Sequence, residues 1–206
     1  MTADTATMPV ARPAELSSPL RAVDVPAATE AAQAFLRALG VDTSAPGLER
    51  TAERMAHAYA ELFRAEPVTL TTFPNDEGYD EVVLARGIPF RSVCEHHLLP
   101  FMGVAHVGYL PGARIIGLSK LARVVEHLSA RPQVQERLTG QVARVIDEEL
   151  QPQGVGVVLD AEHLCMSVRG VRATGATTRT SAMLGRMRSD ARTRAEFLAL
   201  TGAGAA

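Results

Sequence analysis

Four consecutive residues, Cys94-Glu95-His96-His97, constrain the fold of this chain more than any other stretch. They set a thiol, a carboxylate and two imidazoles side by side. The one other cysteine, Cys165, has His163 two residues before it. Two cysteines, each with a histidine in its local turn, supply the donors of a zinc ion held by Cys, Cys and His, with the fourth position open to water as a catalytic zinc keeps it. Residues three apart lie on opposite faces of a strand but on the same side of a helical turn, so Cys94 and His97 can grip one ion only where a strand gives way to a turn. Pro100 supports such a break, because the residue before a proline is pushed out of helical geometry. Cys165 must then arrive from a separate strand far along the chain. His96 and His163 are left beside the ligands, where an imidazole transfers protons near neutral pH. The plainer alternatives are two inert buried cysteines, or a disulfide, which a cytosolic chain disfavours.

With 206 residues, 47% of them hydrophobic, the chain can bury one core, so one domain is expected. A formal charge of −2 offers no bulk attraction to nucleic acid or to an anionic membrane, and neither partner is expected. No apolar run is long enough to span a bilayer. The start, MTADTATMPVARPAELSS, lacks the basic opening and apolar core of a secretory signal, which makes the cytoplasm the simplest address.

Residues 1–26, rich in Ala, Thr, Pro and Ser, read as a disordered tail before a single domain over 27–206, with N-terminal helices over 27–66 and a core over 67–206. The run from Pro26 to the stop at Gly40 is helical in pattern. A second helix is expected from about Pro46 to Glu66, with Leu48, Ala52, Met55, Tyr59, Leu62 and Phe63 on one stripe and Arg54 off it. The stretches DEVVLARGIPFRSVC and FMGVAHVGYLP are rich in β-formers. In the second of them Phe101, Ala105, Val107 and Tyr109 share a face, with His106 and Val104 on the other. His106 reads as a satisfied core histidine and is left out of the site together with His57 and His127. Two helices follow, one from Ser119 with Leu121, Val124, Val125 and Leu128 inward, and one opened by Pro132 with Val134, Leu138, Val142, Val145, Ile146 and Leu150 inward. GVGVVLD and HLCMSVRG read as strands, TTRTSAML follows them, and a short helix over Arg192 to Leu200 precedes the tail TGAGAA, which should fray. The order predicts an α+β fold, an antiparallel sheet with two helices on one face. Its open edges are a reason to expect association with further copies.

Ser119 and Lys120 lie at a helix start, where free N–H groups favour an anion, and Arg123 shares a face with Lys120. With Arg169, four residues beyond Cys165, they could converge on a phosphate-bearing substrate, although a solvated basic face is the more ordinary reading of Lys120 and Arg123. Gln135-Glu136 opens the next helix. A glutamate there complements the helix dipole, and could equally accept the two N–H bonds that guanine presents.

SVCEHHLLPFMG, IIGLSKLARVVE, RPQVQERLT and AEHLCMSVRGV, in this order and with compatible spacing, resemble the GTP cyclohydrolase I family over roughly residues 46–200. The resemblance implies the tunnelling fold, with subunits joined into five-membered rings, two rings stacked into a homodecamer, and active sites at subunit interfaces. It also implies zinc-dependent hydrolysis of GTP that opens the purine imidazole ring, releases formate and forms 7,8-dihydroneopterin triphosphate, the first step of tetrahydrofolate or pterin biosynthesis. Carried over motif by motif, Cys94, His97 and Cys165 are the zinc ligands and His96 and His163 the proton-transfer histidines. Glu136 with Gln135 holds the guanine edge, Lys120, Arg123 and Arg169 hold the triphosphate, Ser119 lies by the ribose, and Arg54 contacts phosphate from a neighbouring subunit. The chain departs from the family's usual pattern at Thr51-Ala52, where Thr-Pro is expected, at Val104, where many members carry lysine, and at Arg179, where a small or hydroxyl residue is commoner; the last bears on subunit contacts or effector response. A zinc nucleobase deaminase would need H-x-E and P-C-x-x-C, and neither occurs. A structural zinc module would need a fourth protein ligand, for which His96 is the candidate. A paralogue that stops at the ring-opened stage, or lacks turnover, is the remaining alternative.

Overall fold

The computed structural model describes residues 23–202. The expected disorder of residues 1–22 and fraying of residues 203–206 lie outside that range. Helix α1, Val25–Ala38, starts where Asp24 accepts from the Ala27 N–H at 3.0 Å and Pro26 occupies the first turn. It ends at Gly40, whose φ of +78° a side chain would resist. Helix α2 is Thr51–Leu62, shorter than expected at both ends. Gly47 sits at φ +88°, and the Leu48 and Thr51 N–H groups bond Ala45 and Leu48 carbonyls, so the stretch before α2 is a series of turns.

The chain then lays down β1 (Thr72–Pro74), β2 (Val83–Cys94), β3 (Pro100–Leu110) and β4 (Arg114–Ile116), followed by helix α3 (Leu118–Ser129). Pro132 does not open the next helix. With Gln133 it forms a two-residue strand, β5, parallel to the end of β2, pairing Val93 with Pro132 and Cys94 with Gln133. Helix α4 (Gln135–Leu150) begins only after it, so Val134 is outside the helix. Strand β6 (Gly154–His163) leads into a single helical turn, α5 (Leu164–Ser167), then β7 (Thr177–Leu184), α6 (Gly185–Ser189) and α7 (Ala191–Thr201). HLCMSVRG is therefore not a strand: pairing stops at His163, opposite Phe101, and Cys165 lies on α5.

The main sheet has the order β5-β2-β3-β6-β7, antiparallel except for the β5–β2 pair, and β1 pairs with β4 in a separate ribbon. One face carries α3 and α4. Leu121, Val124, Val125 and Leu128 of α3 and Leu138, Val142, Val145 and Ile146 of α4 are fully buried against Phe101, Ala105, Val107 and Tyr109 of β3, as the 3.6- and 2-residue periods require. Each such side chain contributes about 1.5–3 kcal/mol of transfer free energy. This is the two-helix, one-sheet layout of the tunnelling fold.

The opposite face is not left bare, which the sequence did not suggest. Phe197 of α7, fully buried, lies over Gly108 and Gly156, where an added Cβ would come within 2.8 Å of its ring. Two glycines on adjacent strands thus make the trough that seats the C-terminal helix. Further along this face Asp160 accepts from the Arg179 Nε at 2.8 Å. His106 is half-buried there, not a satisfied core residue: its Nδ1 is buried with no hydrogen-bond partner among the described residues, and desolvation, then Arg86 and Arg179, hold its pKa below the usual histidine value. His127, by contrast, is the satisfied structural histidine, donating Nδ1–H to the Glu66 carbonyl at 2.8 Å.

Candidate metal centre

Cys94 is the last residue of β2, and the hairpin to β3 folds back over it. The Cys94 N–H donates to the Leu99 carbonyl at 2.9 Å, and the Leu98 and His97 N–H groups both turn toward the Cys94 carbonyl at 2.8 and 3.3 Å. Leu98 takes φ +52°, a left-handed conformation that costs a non-glycine residue of order 1 kcal/mol. This is the strand-to-turn break expected before Pro100. It brings Nδ1 of His96 to 3.9 Å and Nδ1 of His97 to 3.8 Å from the Cys94 sulfur.

Three groups external to the turn hold it. The Tyr59 hydroxyl of α2 donates to the Leu98 carbonyl at 2.9 Å. The Glu95 N–H donates to the Gln133 carbonyl at 3.0 Å. The Glu95 carboxylate pairs with Arg137 of α4, whose hydrogen bond holds the Glu95 pKa below the ordinary carboxylate range. Arg137 is itself aimed by the Gln133 side-chain oxygen at 3.0 Å from its Nε.

The second half of the site comes from the end of β6. His163 stacks flat on Phe101, its β3 partner, with ring centroids 4.6 Å apart and 3° between the planes. The chain then turns into α5 and presents Cys165. One ligand atom each from Cys94, His97 and Cys165 falls within 4.8 Å of the others, and this trio is the group the fold gathers for a metal. Burial, then the neighbouring Cys94 sulfur, pushes the Cys165 thiol above its ordinary pKa, while Arg169 opposes the rise. Two crowded sulfurs and one imidazole are a donor set suited to a soft-to-borderline divalent ion, and a cation among them would favour both thiolates. The residues fit a metal.

Glu136 is exposed at the start of α4, close enough to His163 for its charge to oppose the drop in the histidine's pKa that burial causes. Ser119, Arg123, Arg169 and Arg54 are exposed, and neither Lys120 nor Arg123 has an ion-pair partner among the described residues. Among the described residues Arg54 hydrogen-bonds the Gly47 carbonyl alone, at 3.5 Å. Gln135 departs from expectation. Only 1% exposed, its side chain bonds His163 at 2.7 Å and the sheet behind it, so it is not presented to a ligand edge. Sequence reasoning missed Tyr59, the Glu95–Arg137 pair and the Gln135–His163 bond. A tyrosine on the apolar stripe of α2 was the one available signal, since a packed phenol needs a partner for its hydroxyl.

Fold and site together define an α+β protein with a Cys-His-Cys cluster that can hold a metal, between the β2–β3 turn and the end of β6. The sequence model for GTP cyclohydrolase I matches residues 28–202, and the chain belongs to the GTP cyclohydrolase I family. It is 50% identical over 185 residues to GTP cyclohydrolase 1 of Mycobacterium marinum, spanning 87% of this chain and 92% of that protein. It is 48% identical over 179 residues to GTP cyclohydrolase 1 of Aquifex aeolicus, spanning 87% and 97%. A crystal structure of an archaeosine synthase QueF-like protein in the apo form aligns with a TM-score of 0.40 at 17% identity, covering 51% of this chain and 94% of that one.

Proposed function

We propose that this protein hydrolyses GTP, opening the imidazole ring of the purine, releasing C8 as formate and yielding 7,8-dihydroneopterin triphosphate. The observation that carries the reading is the convergence of Cys94, His97 and Cys165 from two distant strand ends, with a histidine outside the trio on each side. Zinc is the metal proposed for that trio, where it would act as a Lewis acid and lower the pKa of a water it binds.

The chain's own side chains do the rest. His96, exposed on the turn, and His163, pinned against Phe101, hold and move protons at the purine ring nitrogen and at the departing formyl group. The Glu136 carboxylate accepts the ring N–H and amino N–H of guanine. Lys120, Arg123 and Arg169 bind the triphosphate, with Ser119 at the ribose; the absence of ion-pair partners for Lys120 and Arg123 among the described residues leaves them available for that work. Arg54 reaches phosphate from a neighbouring subunit of a homodecamer of two stacked pentamers, with sites between subunits. The chain acts as one catalytic domain in the cytoplasm. No helix among the described residues is long and apolar enough to cross a membrane.

The test is to incubate zinc-loaded protein with GTP and assay formate and the fluorescent pterin together. Both products are expected. Formate without the pterin would mark a relative that stops at ring opening, and neither product would overturn the reading.

A further inference from the structure

Gln135 is buried at the start of α4, and every hydrogen bond it makes has a forced direction. Its Nε2 lies 3.2 Å from the Leu159 carbonyl, 2.9 Å from the Thr178 carbonyl and 3.1 Å from the Thr180 Oγ1. Two of those three are backbone carbonyl oxygens, which only accept, so this end of the amide must be the NH2 group. The other end is therefore the carbonyl oxygen, and it lies 2.7 Å from His163 Nε2. A carbonyl oxygen cannot donate, so His163 Nε2 must carry a hydrogen.

The hydroxyls behind the amide agree with this order. Thr139 Oγ1 donates to the Gln135 backbone carbonyl at 2.7 Å, which leaves its oxygen to accept from Thr180 Oγ1 at 2.6 Å. Thr180, having spent its hydrogen, can only accept from the Gln135 NH2. Amide, Thr180, Thr139 and helix carbonyl form one directional circuit, and flipping the amide would set its oxygen against two carbonyls.

We infer that Gln135 is a positioning residue that locks His163 as the Nε2–H tautomer and so aims the bare Nδ1 edge of the ring outward, toward the substrate handled in turnover. The inference deepens the function proposed above and rests on it for the word turnover, though not for the tautomer. Nδ1 is open to that role, since among the described residues it makes no hydrogen bond and is not sealed from solvent. Stacking on Phe101 fixes the ring plane, and the amide fixes which edge faces out. The lock differs from base recognition, in which Gln135 would face the guanine edge.

The direct test is magic-angle-spinning NMR of the full chain, zinc-loaded and labelled with ¹⁵N-histidine, at mildly alkaline pH, with the His163 resonances identified by their absence in His163→Asn. A neutral ring with hydrogen on Nε2 and a bare Nδ1 is expected. A ring with hydrogen on Nδ1, or a mixture, overturns the inference whether or not the protein turns over GTP. Conversely, the expected tautomer in a protein that releases no formate sinks the functional reading alone. Kinetics give the second readout. Gln135→Leu should lower kcat by about 10²-fold, the lower end for a disabled proton-transfer group, with KM for GTP within about twofold and zinc content unchanged. A tenfold rise in KM with kcat intact would show that Gln135 reads the base. Should Gln135→Leu fail to assemble, Gln135→Met, which keeps the side chain's length without its polar ends, takes the same two readouts, and a kcat within about twofold of the unaltered protein would overturn the lock.

Discussion

The two halves of the candidate metal centre are built on opposite plans. The Cys94–His97 half is an exposed hairpin turn that carries a left-handed Leu98 and is tied down from outside by Tyr59, Gln133 and Arg137. The Cys165 half grows out of the half-buried end of β6, with His163 stacked on Phe101 and bonded to a glutamine inside the helix–sheet interface. A turn of that first kind can supply two donors from residues three apart, but its geometry is set by a few surface bonds. A strand end of the second kind can aim a side chain closely, because packed neighbours leave it one orientation. The site therefore pairs an adjustable grip with a fixed edge.

The largest effect expected is the loss of either sulfur. Cys165→Ser should reduce formate and pterin production to background and strip zinc, measured by metal analysis of the purified protein, because three ligands cannot become two and still hold the ion. Retained zinc at one per chain would mean that the halves do not share an ion.

Next in size, His96→Ala should lower turnover by about 10²- to 10⁴-fold while zinc content stays at the level of the unaltered protein. Loss of zinc in this variant would move the ligand role from His97 to His96, whose nitrogens lie almost equally far from the Cys94 sulfur.

Smaller effects should separate the two plans. Glu95→Gln cuts the ion pair to Arg137 and should weaken zinc binding roughly tenfold in a chelator competition, the scale of a support behind a ligand. Tyr59→Phe removes one bond to the Leu98 carbonyl, a loss of about 1 kcal/mol or severalfold in zinc affinity. If both variants bind zinc as the unaltered protein does, the exposed turn is as rigid as the buried edge and the contrast between them is wrong.

The smallest effect lies away from both halves. Asp190 caps α7, accepting from the Arg192 N–H at 2.9 Å and from Thr193 Oγ1 at 3.0 Å, and the first of these bonds leads in holding its pKa below the ordinary value. Its folded pKa is the depressed one, so its stabilisation is present above the ordinary aspartate pKa and fades as pH falls through the folded value. Asp190→Ala should lower the denaturant midpoint slightly near neutral pH, and less in acid, with zinc and kcat unmoved.

The helices that cover the sheet were legible because burial against a flat partner imposes a 3.6-residue period, and Leu121, Val124 and Leu138, Val142 obey it. The strand pair around the turn was legible for the matching reason. Less legible was anything short. Pro132 reads as a helix opener by local preference, yet pairing with the end of β2 claims it for a strand. HLCMSVRG has strand-like composition, but the next residue of its β3 partner beyond Phe101 is Pro100, which has no N–H to donate, and the chain closes into a helical turn. The trough for Phe197 depends on two glycines 48 positions apart in the chain, and no local pattern links Gly108 to Gly156.

What the sequence determined by itself was the chemistry on offer: two thiols, the histidines beside them, and a spacing in CEHH that forces a turn, since covalent geometry limits where neighbouring side chains can meet. Only the tertiary structure decided how those groups are allotted. It brought Cys165 to Cys94, gathered His97 rather than His96 into the trio, and turned Gln135 from a candidate reader of substrate into the partner of His163. The reason is that a hydrogen bond's direction depends on what stands at its other end, and here the other ends, Leu159 and Thr178, lie on strands that α4 meets only once the sheet has closed.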